Sequence, residues 1–325
     1  MKAIISTKYG GPDVLQLQEV AKPTPKVNEV LIKVYTASVT TAGSMMRTGY
    51  PLIGRLFMGL TKPNNPIPGT GFGGKIEAVG HGVTKFKIGD FVFGESIVTF
   101  GTQAEYLCIP EDGIILTKPA NMTFEAAAAV CDGALTSLSF LKDIGEIKTG
   151  QKVLINGASG SLGTAAVQLA KHFGAEVTGV CSSKNVELVK KLGADHVIDY
   201  TQIDFTENGQ TYDLIYDTIG KSSFAKCKKI LTQDGAYLSP VLDFSLLLKV
   251  LWTSIFGKKK AKFSATGIRP VPELKVLFKE LKQLFAEGYL TTVMDKSYAL
   301  AQISDAHRYI DKGHKKGNVV ISIIR

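Results

Sequence analysis

The sequence predicts an α/β protein in which a doubly wound parallel sheet accompanies a β-rich unit. Three observations predict it. From Gln151 onward, short apolar runs alternate with helical patterns, the rhythm of a parallel sheet covered by helices on both faces. Residues 1–124 instead carry short β segments punctuated by Gly, Pro, Asn and Asp. Between the apolar run 153–155 and the helical pattern after it lies a tight turn, Gly157-Ala158-Ser159-Gly160-Ser161-Leu162-Gly163.

Taken in order, strands are expected at 2–7, 15–19, 29–38, 76–79, 91–94 and 104–109. Pro119-Ala120-Asn121-Met122-Thr123-Phe124 marks a boundary, with Thr123 placed to cap the next helix. The Ala-rich run 125–130 begins that helix, and 133–143 reads as a second one. Strands 153–155 and 176–181 are then joined by 196–198, 214–217, 236–238 and 262–266. Helices lie at 162–173, 186–192, 224–230 and within 244–256. Six strands with right-handed crossovers make one parallel sheet. Residues 273–287 form an amphipathic helix with Leu274, Leu277, Phe278, Leu281, Leu284 and Phe285 on one face. The tail returns to a strand at 319–324.

Size and composition bound the function. A chain of 325 residues suits about two domains, and 45% apolar residues can fill their cores. The net charge is +9. Its two runs, Lys258-Lys259-Lys260 and His314-Lys315-Lys316, read as a solvated face or loop, and no aromatic residues interleave with them as on a single-strand nucleic-acid surface. No nucleic-acid partner is expected. Residues 1–5 run into polar sequence, unlike a signal peptide. The greasiest stretch, 242–256, is too short to span a bilayer and holds Asp243 and Lys249, so no membrane partner is expected either. Cys108, Cys131, Cys181 and Cys227 stand apart, in neither a disulfide nor a metal spacing. A reduced, cytoplasmic protein is the expectation. His81, His172, His196, His307 and His314 are scattered and read as structural or exposed.

The glycine turn carries the first functional signal. Strand, glycine turn and helix open a dinucleotide-binding unit. Gly160 has no Cβ, so backbone amides can approach a pyrophosphate. Gly163 lets the helix lie against the strand, and the helix N-terminus offers unpaired N–H groups to phosphates. Ala158 stands where the common fingerprint has its first glycine, with Gly157 just before it. After strand 176–181 a site selective for NAD would carry Asp or Glu. This chain has Ser182-Ser183-Lys184-Asn185, whose hydroxyls and lysine suit a 2′-phosphate, so NADP(H) is expected over NAD(H). Ser182 and Asn185 also suit capping of the helix that carries Leu188 and Leu192, and the two roles are compatible.

Several segments together resemble the zinc-free branch of the medium-chain dehydrogenase/reductases, in its quinone oxidoreductase and enone (alkenal) reductase group. They are Tyr9-Gly10-Gly11-Pro12-Asp13-Val14-Leu15, Pro68-Gly69-Thr70-Gly71-Phe72-Gly73-Gly74, Gly89-Asp90-Phe91-Val92-Phe93-Gly94, Gly133-Ala134-Leu135-Thr136-Ser137, the glycine turn, and Leu192-Gly193-Ala194-Asp195-His196-Val197-Ile198-Asp199-Tyr200. The resemblance covers essentially the whole chain. It implies a GroES-like catalytic domain over 1–124, completed by 269–325, and a Rossmann NADP-binding domain over 125–268. It departs from the zinc alcohol dehydrogenases. Ala37-Ser38-Val39-Thr40-Thr41-Ala42-Gly43 lacks their cysteine, Thr70 stands where the ligand histidine would sit, and the four-cysteine loop is missing. No zinc donor set is expected. Zinc-free relatives often carry Asn where Thr40 stands and Asp where Gly43 stands.

The resemblance implies transfer of a hydride from NADPH to a small electrophile, a quinone or an α,β-unsaturated carbonyl compound, whose oxygen then needs a hydrogen-bond donor. Thr40, Tyr50 and Thr136 are the candidate catalytic residues, the last beside the nicotinamide. Ser159, Gly160, Ser161, Leu162 and Gly163 would hold the pyrophosphate, and Ser182, Ser183, Lys184 and Asn185 the 2′-phosphate, with Tyr200 near the adenine. Thr218, in Asp217-Thr218-Ile219-Gly220, would line the cofactor cleft, and Gly317 and Asn318 would return to the cofactor. A homodimer is implied by analogy. No Tyr-x-x-x-Lys pair of the short-chain reductases is present. Two other readings remain: an NADPH-binding redox sensor with little catalysis, and an alcohol dehydrogenase-like enzyme.

Overall fold

The computed structural model describes residues 1–50 and 52–324. The chain begins with β1 (Lys2–Ile5) and β2 (Gln16–Glu19), an antiparallel ribbon. Next come β3 (Glu29–Val39), α1 (Thr41–Thr48), α2 (Arg55–Met58), β4 (Gly71–Val79), β5 (Phe91–Glu95), β6 (Tyr106–Pro110) and β7 (Ile114–Thr117). After α3 (Phe124–Leu138) the βαβ alternation starts: β8 (Lys152–Asn156), α4 (Ser161–His172), β9 (Glu176–Cys181), α5 (Val186–Lys191), β10 (His196–Asp199) and β11 (Tyr212–Asp217). It continues through α6 (Phe224–Cys227), β12 (Leu231–Ser239), α7 (Phe244–Ile255) and β13 (Lys260–Phe263). The last elements are α8 (Val271–Ala286), β14 (Met294–Ala299), α9 (Ile303–Asp311) and β15 (Asn318–Ser322). Two compact units result. One holds residues 1–132, 271–286 and 292–325, the other 133–270 and 287–291. Among the described residues no single helix is long and apolar enough to cross a membrane.

The first unit is built on a seven-stranded sheet in the order β14-β15-β3-β4-β5-β7, with β6 also paired to β3. Val30, Ile32 and Val34 alternate into its core, then Ala37 and Val39 do so with shifted parity. A register irregularity against β4 between Val34 and Thr36 accounts for the switch, since one extra residue moves every later side chain to the other face. α8 buries all six of its expected apolar residues, and Phe278 meets the Phe93 ring at 4.7 Å. β7 was not expected from the sequence. Only four residues long, it gives too short a pattern, yet Ile114 and Ile115 are fully buried.

The second unit is a six-stranded, wholly parallel sheet in the order β10-β9-β8-β11-β12-β13. Counted from β8 this is the Rossmann order 3-2-1-4-5-6, whose reversal lies beside the C-terminal end of β8. Two expectations need correction. The helices expected at 125–130 and 133–143 are one α-helix, α3, continued by a π-helical segment over Ser139–Ile144. Gly133 does not break it, because close approach to Ser161 leaves no room for a Cβ there, 2.5 Å from Ser161 Oγ. The last strand is Lys260–Phe263 rather than 262–266. Thr253 Oγ1 accepts the Ala261 N–H at 2.9 Å, and Ala236 pairs with Lys260, so the strand begins at the last residue of the lysine run.

The sequence reading assigned no helix to α1 or α9. α1 buries Ser44 and Arg47 and shows no clean apolar stripe, whereas α9 buries Ile303, Ala306, His307 and Ile310 at helical spacing, a pattern the sequence carries. Polar contacts join the two helices. Arg47 donates to Asp311 Oδ2 and to Gly10 O, both at 2.6 Å, and Ser44 Oγ lies 3.2 Å from His307 Nδ1. Burial, with Arg47 nearby, pushes His307 down to about 4, against some opposition from Asp311. The folded protein therefore keeps this ring neutral while the unfolded chain takes up a proton below about 6.5. Stability falls as pH drops from about 6.5 towards 4, by roughly 3 kcal/mol from this group. Urea unfolding across that window is expected to show a smaller loss for His307→Gln than for the parent chain; equal losses would refute the assignment.

Candidate functional site

The turn after β8 has the form the fingerprint requires, with the glycine roles redistributed. Gly157, at φ +80°, takes the left-handed conformation, and its N–H and that of Ala158 donate to Val180 O at 3.1 and 2.9 Å. Ala158 is fully buried, and its methyl is accommodated because Gly179 on β9 has no side chain: a Cβ there would come within 3.1 Å of Ala158 Cβ. Gly160 is the N-cap of α4 without a side-chain cap, and the space before it is open, a Cβ meeting only Gly157 O at 3.4 Å. A Cβ on Gly163 would lie 2.1 Å from Gly157 O, so α4 packs on the turn only with glycine there. The first turn of α4 directs its N–H groups, as at any helix N-terminus, towards this opening. Ser137 Oγ donates to Leu162 O at 2.8 Å and fixes the turn from α3.

Behind the turn lies a group that the sequence reading passed over. The Asp217 carboxylate is wholly buried at the end of β11. It accepts from Asn156 Nδ2 (2.9 Å), the Tyr237 hydroxyl (2.8 Å) and the backbone N–H groups of Ile219 (3.3 Å), Gly220 (3.1 Å) and Ser222 (2.9 Å). Burial first, and the Asp217 charge second, push the Tyr237 phenol far up, so it remains a donor. Thr218 continues the arrangement: its hydroxyl donates to Asn156 O at 2.8 Å and its N–H to the same oxygen at 3.1 Å. Thr218 and Ile219 then sit so near Gly157 that a Cβ on it would come within 2.7 Å of each. Parallel register could have revealed Asp217, since it pairs with Asn156, the last residue before the glycine turn.

The end of β9 is bound to the same turn. Asn185 Nδ2 donates to Ser159 Oγ at 3.0 Å and to Ser182 Oγ at 3.4 Å, and neither Asn185 nor Ser182 caps the following helix through its side chain. Lys184 is exposed, as are Ser183 and Tyr200, the latter 53%. The expectation that no carboxylate stands here needs correction. Asp199 closes β10 in register with Cys181, which closes β9, and its Oδ2 accepts from the Ser183 hydroxyl at 2.5 Å. That bond, then those from Thr201, hold the Asp199 carboxyl below its ordinary value. The acid is absent from β9 itself but arrives from the neighbouring strand.

The candidate catalytic residues fall in both units. Thr40 caps α1, and its Oγ1 accepts the Gly43 N–H at 2.9 Å, which leaves its own proton to donate. Tyr50 follows the C-cap of α1 and is 67% exposed. Thr136, on α3 in the second unit, pairs its hydroxyl with that of Thr266 at 2.8 Å. Gly317 (φ +68°) and Asn318 open β15 in the first unit, where the Asn318 N–H donates to Val293 O at 2.8 Å. Among the described residues no three His, Cys, Asp or Glu side chains converge as a metal donor set.

Asp217→Asn replaces one accepting oxygen with an NH2 donor that faces a ring of donors. The variant is expected to loosen residues 218–222 and to weaken binding of a nicotinamide dinucleotide roughly tenfold or more. Titration calorimetry checks it, and affinity equal to the parent would refute the positioning role.

Comparison with known proteins places this geometry. Residues 26–120 match the alcohol dehydrogenase GroES-like domain, and residues 192–321 the zinc-binding dehydrogenase family. The chain is 30% identical to a 2-methylene-furan-3-one reductase of Solanum lycopersicum, over 99% of this chain and 79% of that protein. It is also 30% identical to a chloroplastic quinone-oxidoreductase homolog of Spinacia oleracea, over 99% of this chain and 98% of the relative. Among solved structures, the quinone oxidoreductase of Coxiella burnetii superposes with a TM-score of 0.87 at 27% identity, covering 100% of this chain and 99% of its own. The Escherichia coli quinone oxidoreductase complexed with NADPH does so with a TM-score of 0.85 at 26% identity, covering 99% and 100%. A GroES-like unit with a Rossmann sheet, matched along its length by oxidoreductases of one kind, belongs to the medium-chain dehydrogenase/reductase family, in its quinone oxidoreductase and enone reductase group.

Proposed function

We propose that this chain is an NADPH-dependent reductase of quinones or α,β-unsaturated carbonyl compounds that works without zinc. One observation carries the reading: the glycine turn and the hydroxyl- and lysine-bearing end of β9 are hydrogen-bonded into one edge, through Asn185 and Ser159. Bound there, NADPH supplies a hydride to an electrophilic carbon. The chain's own residues do the rest. The pyrophosphate lies against Ser159, Gly160 and Ser161, with the N–H groups of Leu162 and Gly163 directed to it. Ser182, Lys184 and Asn185 hold the 2′-phosphate, and Tyr200 covers the adenine. Thr136, oriented by Thr266, contacts the nicotinamide end, and Thr218 backs the cleft. From the β-rich unit, Thr40 and Tyr50 are the proposed donors to the substrate oxygen as it gains charge. Gly317 and Asn318 are the cofactor residues proposed from that unit. Thr70 stands where the zinc relatives carry a ligand histidine, and residues 37–43 lack their cysteine, which supports a reaction without that metal.

Asp199 and Lys184 oppose each other in choosing the cofactor. A carboxylate by Ser183 repels a 2′-phosphate, while the lysine attracts it. Steady-state oxidation with 1,4-benzoquinone and with an alkenal is expected to give a kcat/KM for NADPH roughly tenfold or more above that for NADH. Lys184→Ala is expected to lower that ratio and Asp199→Asn to raise it. Gly160→Asp has room for its Cβ but puts a negative charge against the phosphates, so a folded, inactive protein is expected. Tight NADPH binding without turnover across quinones and enones would overturn the enzymatic reading.

A further inference from the structure

Three polar side chains along α3 and its π-helical continuation meet one short segment of the same unit. Thr136, Ser139 and Asp143 are spaced i, i+3 and i+7. The Thr136 hydroxyl lies 2.8 Å from that of Thr266, and Arg269 Nη1 donates to Ser139 Oγ at 2.5 Å and to Asp143 Oδ2 at 2.7 Å. The Arg269 N–H donates to Thr266 O at 3.1 Å and closes the turn Thr266–Ile268. A ring results: Thr136 to Thr266, Thr266 through the turn to Arg269, and Arg269 back to the helix. Lys262, which leads into this segment from β13, donates to Ile144 O at 2.6 Å.

The helix is fixed from other directions as well. Ser137, about 100° round the helix from Thr136, donates to Leu162 O in the first turn of α4. Phe140 stacks on Tyr216 of β11 at 5.1 Å, both rings buried. Held on these sides, α3 cannot turn about its axis, and the direction of the Thr136 hydroxyl is left to Thr266. The helix passes into its π-helical segment just beyond Thr136, a departure frequent where a helix serves a site. The Arg269 and Asp143 side chains are 17% and 32% exposed, so Coulomb energy alone is a weak reason for their pairing. A planar guanidinium with fixed donors suits the holding of a position.

We propose that Arg269 is a positioning residue for Thr136: it braces the 266–269 turn against α3, the turn sets the Thr266 hydroxyl, and Thr266 holds the Thr136 side chain in place. This role rests on Thr136 contacting the nicotinamide end of the cofactor, as proposed above. Arg269 itself touches neither cofactor nor substrate and acts through Thr266. Lysine at this position would keep the charge but lose the planar fork, so the brace would be looser.

The full chain is to be compared with Thr136→Val, Arg269→Gln, Arg269→Lys, Thr266→Val and the double variant Thr136→Val with Arg269→Gln. Titration with NADPH, read by the emission of the bound nicotinamide, reports that end of the cofactor without turnover. Amide hydrogen exchange reports residues 264–269, and steady-state kinetics with 1,4-benzoquinone give kcat and KM. Arg269→Gln is expected to speed exchange across 264–269 and to change the bound emission in the same sense as Thr136→Val. It is expected to lower kcat about tenfold, with KM for the quinone little changed. Thr266→Val, which cuts the link itself, is expected to match that fall in kcat, and Arg269→Lys to recover part of it. In the Thr136→Val background Arg269→Gln is expected to cost nothing further, since both act through one hydroxyl. A loss of equal size in both backgrounds, unchanged exchange, or parent-like emission and kcat in Arg269→Gln would each overturn the positioning role and leave Thr136 in place. Parent-like emission and kcat in Thr136→Val would instead remove Thr136 from the nicotinamide, and this role with it.

Discussion

A carboxylate with no exposure to water is costly unless each lone pair is met, and that of Asp217 is met by five donors. The donors come from β8, from β12 and from the loop after β11. Satisfying one charge therefore sets three strand ends and a loop against one another. Thr218 and Ile219 follow from that placement, and their closeness to Gly157 is why only glycine fits there. The left-handed turn, the start of α4 and the opening towards its N–H groups depend in sequence on this interaction. The backbone amides of the turn are thus placed by a carboxylate buried behind it.

The two ends of the proposed cofactor edge are built differently. At Gly157 and Gly163 an added Cβ would come within 3 Å of its neighbours, so substitutions there are steric events. At the end of β9 the side chains are exposed and opposed in sign, Lys184 against Asp199, so binding preference is a balance of charges in high dielectric. Substitutions can shift such a balance with little effect on the fold. The β-rich unit shows the same division. Its sheet core is apolar, while α1, which Thr40 caps, is held by Arg47, Asp311, Ser44 and His307.

α7 breaks the usual bargain of a two-layer fold, in which a helix hides one face and wets the other. Its buried side is narrow, mainly Leu246, Val250 and Thr253, and part of its anchoring is polar, through Thr253, Lys260 and Ala261. Polar anchoring leaves the greater part of the apolar surface unused by the fold.

The sequence by itself determined the fold class, the parallel sheet, the glycine turn and the apolar face of α8. Each is a local pattern: a period, a glycine at fixed offset, or a stripe repeated every three or four residues. It also placed Thr123, whose Oγ1 accepts the Ala126 N–H at 3.1 Å as a cap should. What it missed depends on partners distant in the chain. Asp199 meets Ser183 only because two parallel strands end in register, and Asp217 meets Tyr237 only across a sheet. α1 is held by an ion pair and buried polar groups that have no periodic signature, and α3 carries Gly133 because a neighbouring turn needs the space. Local propensity and periodicity write the elements. Buried charges, strand register and close backbone approach exist only after the chain is packed, and those decided the site.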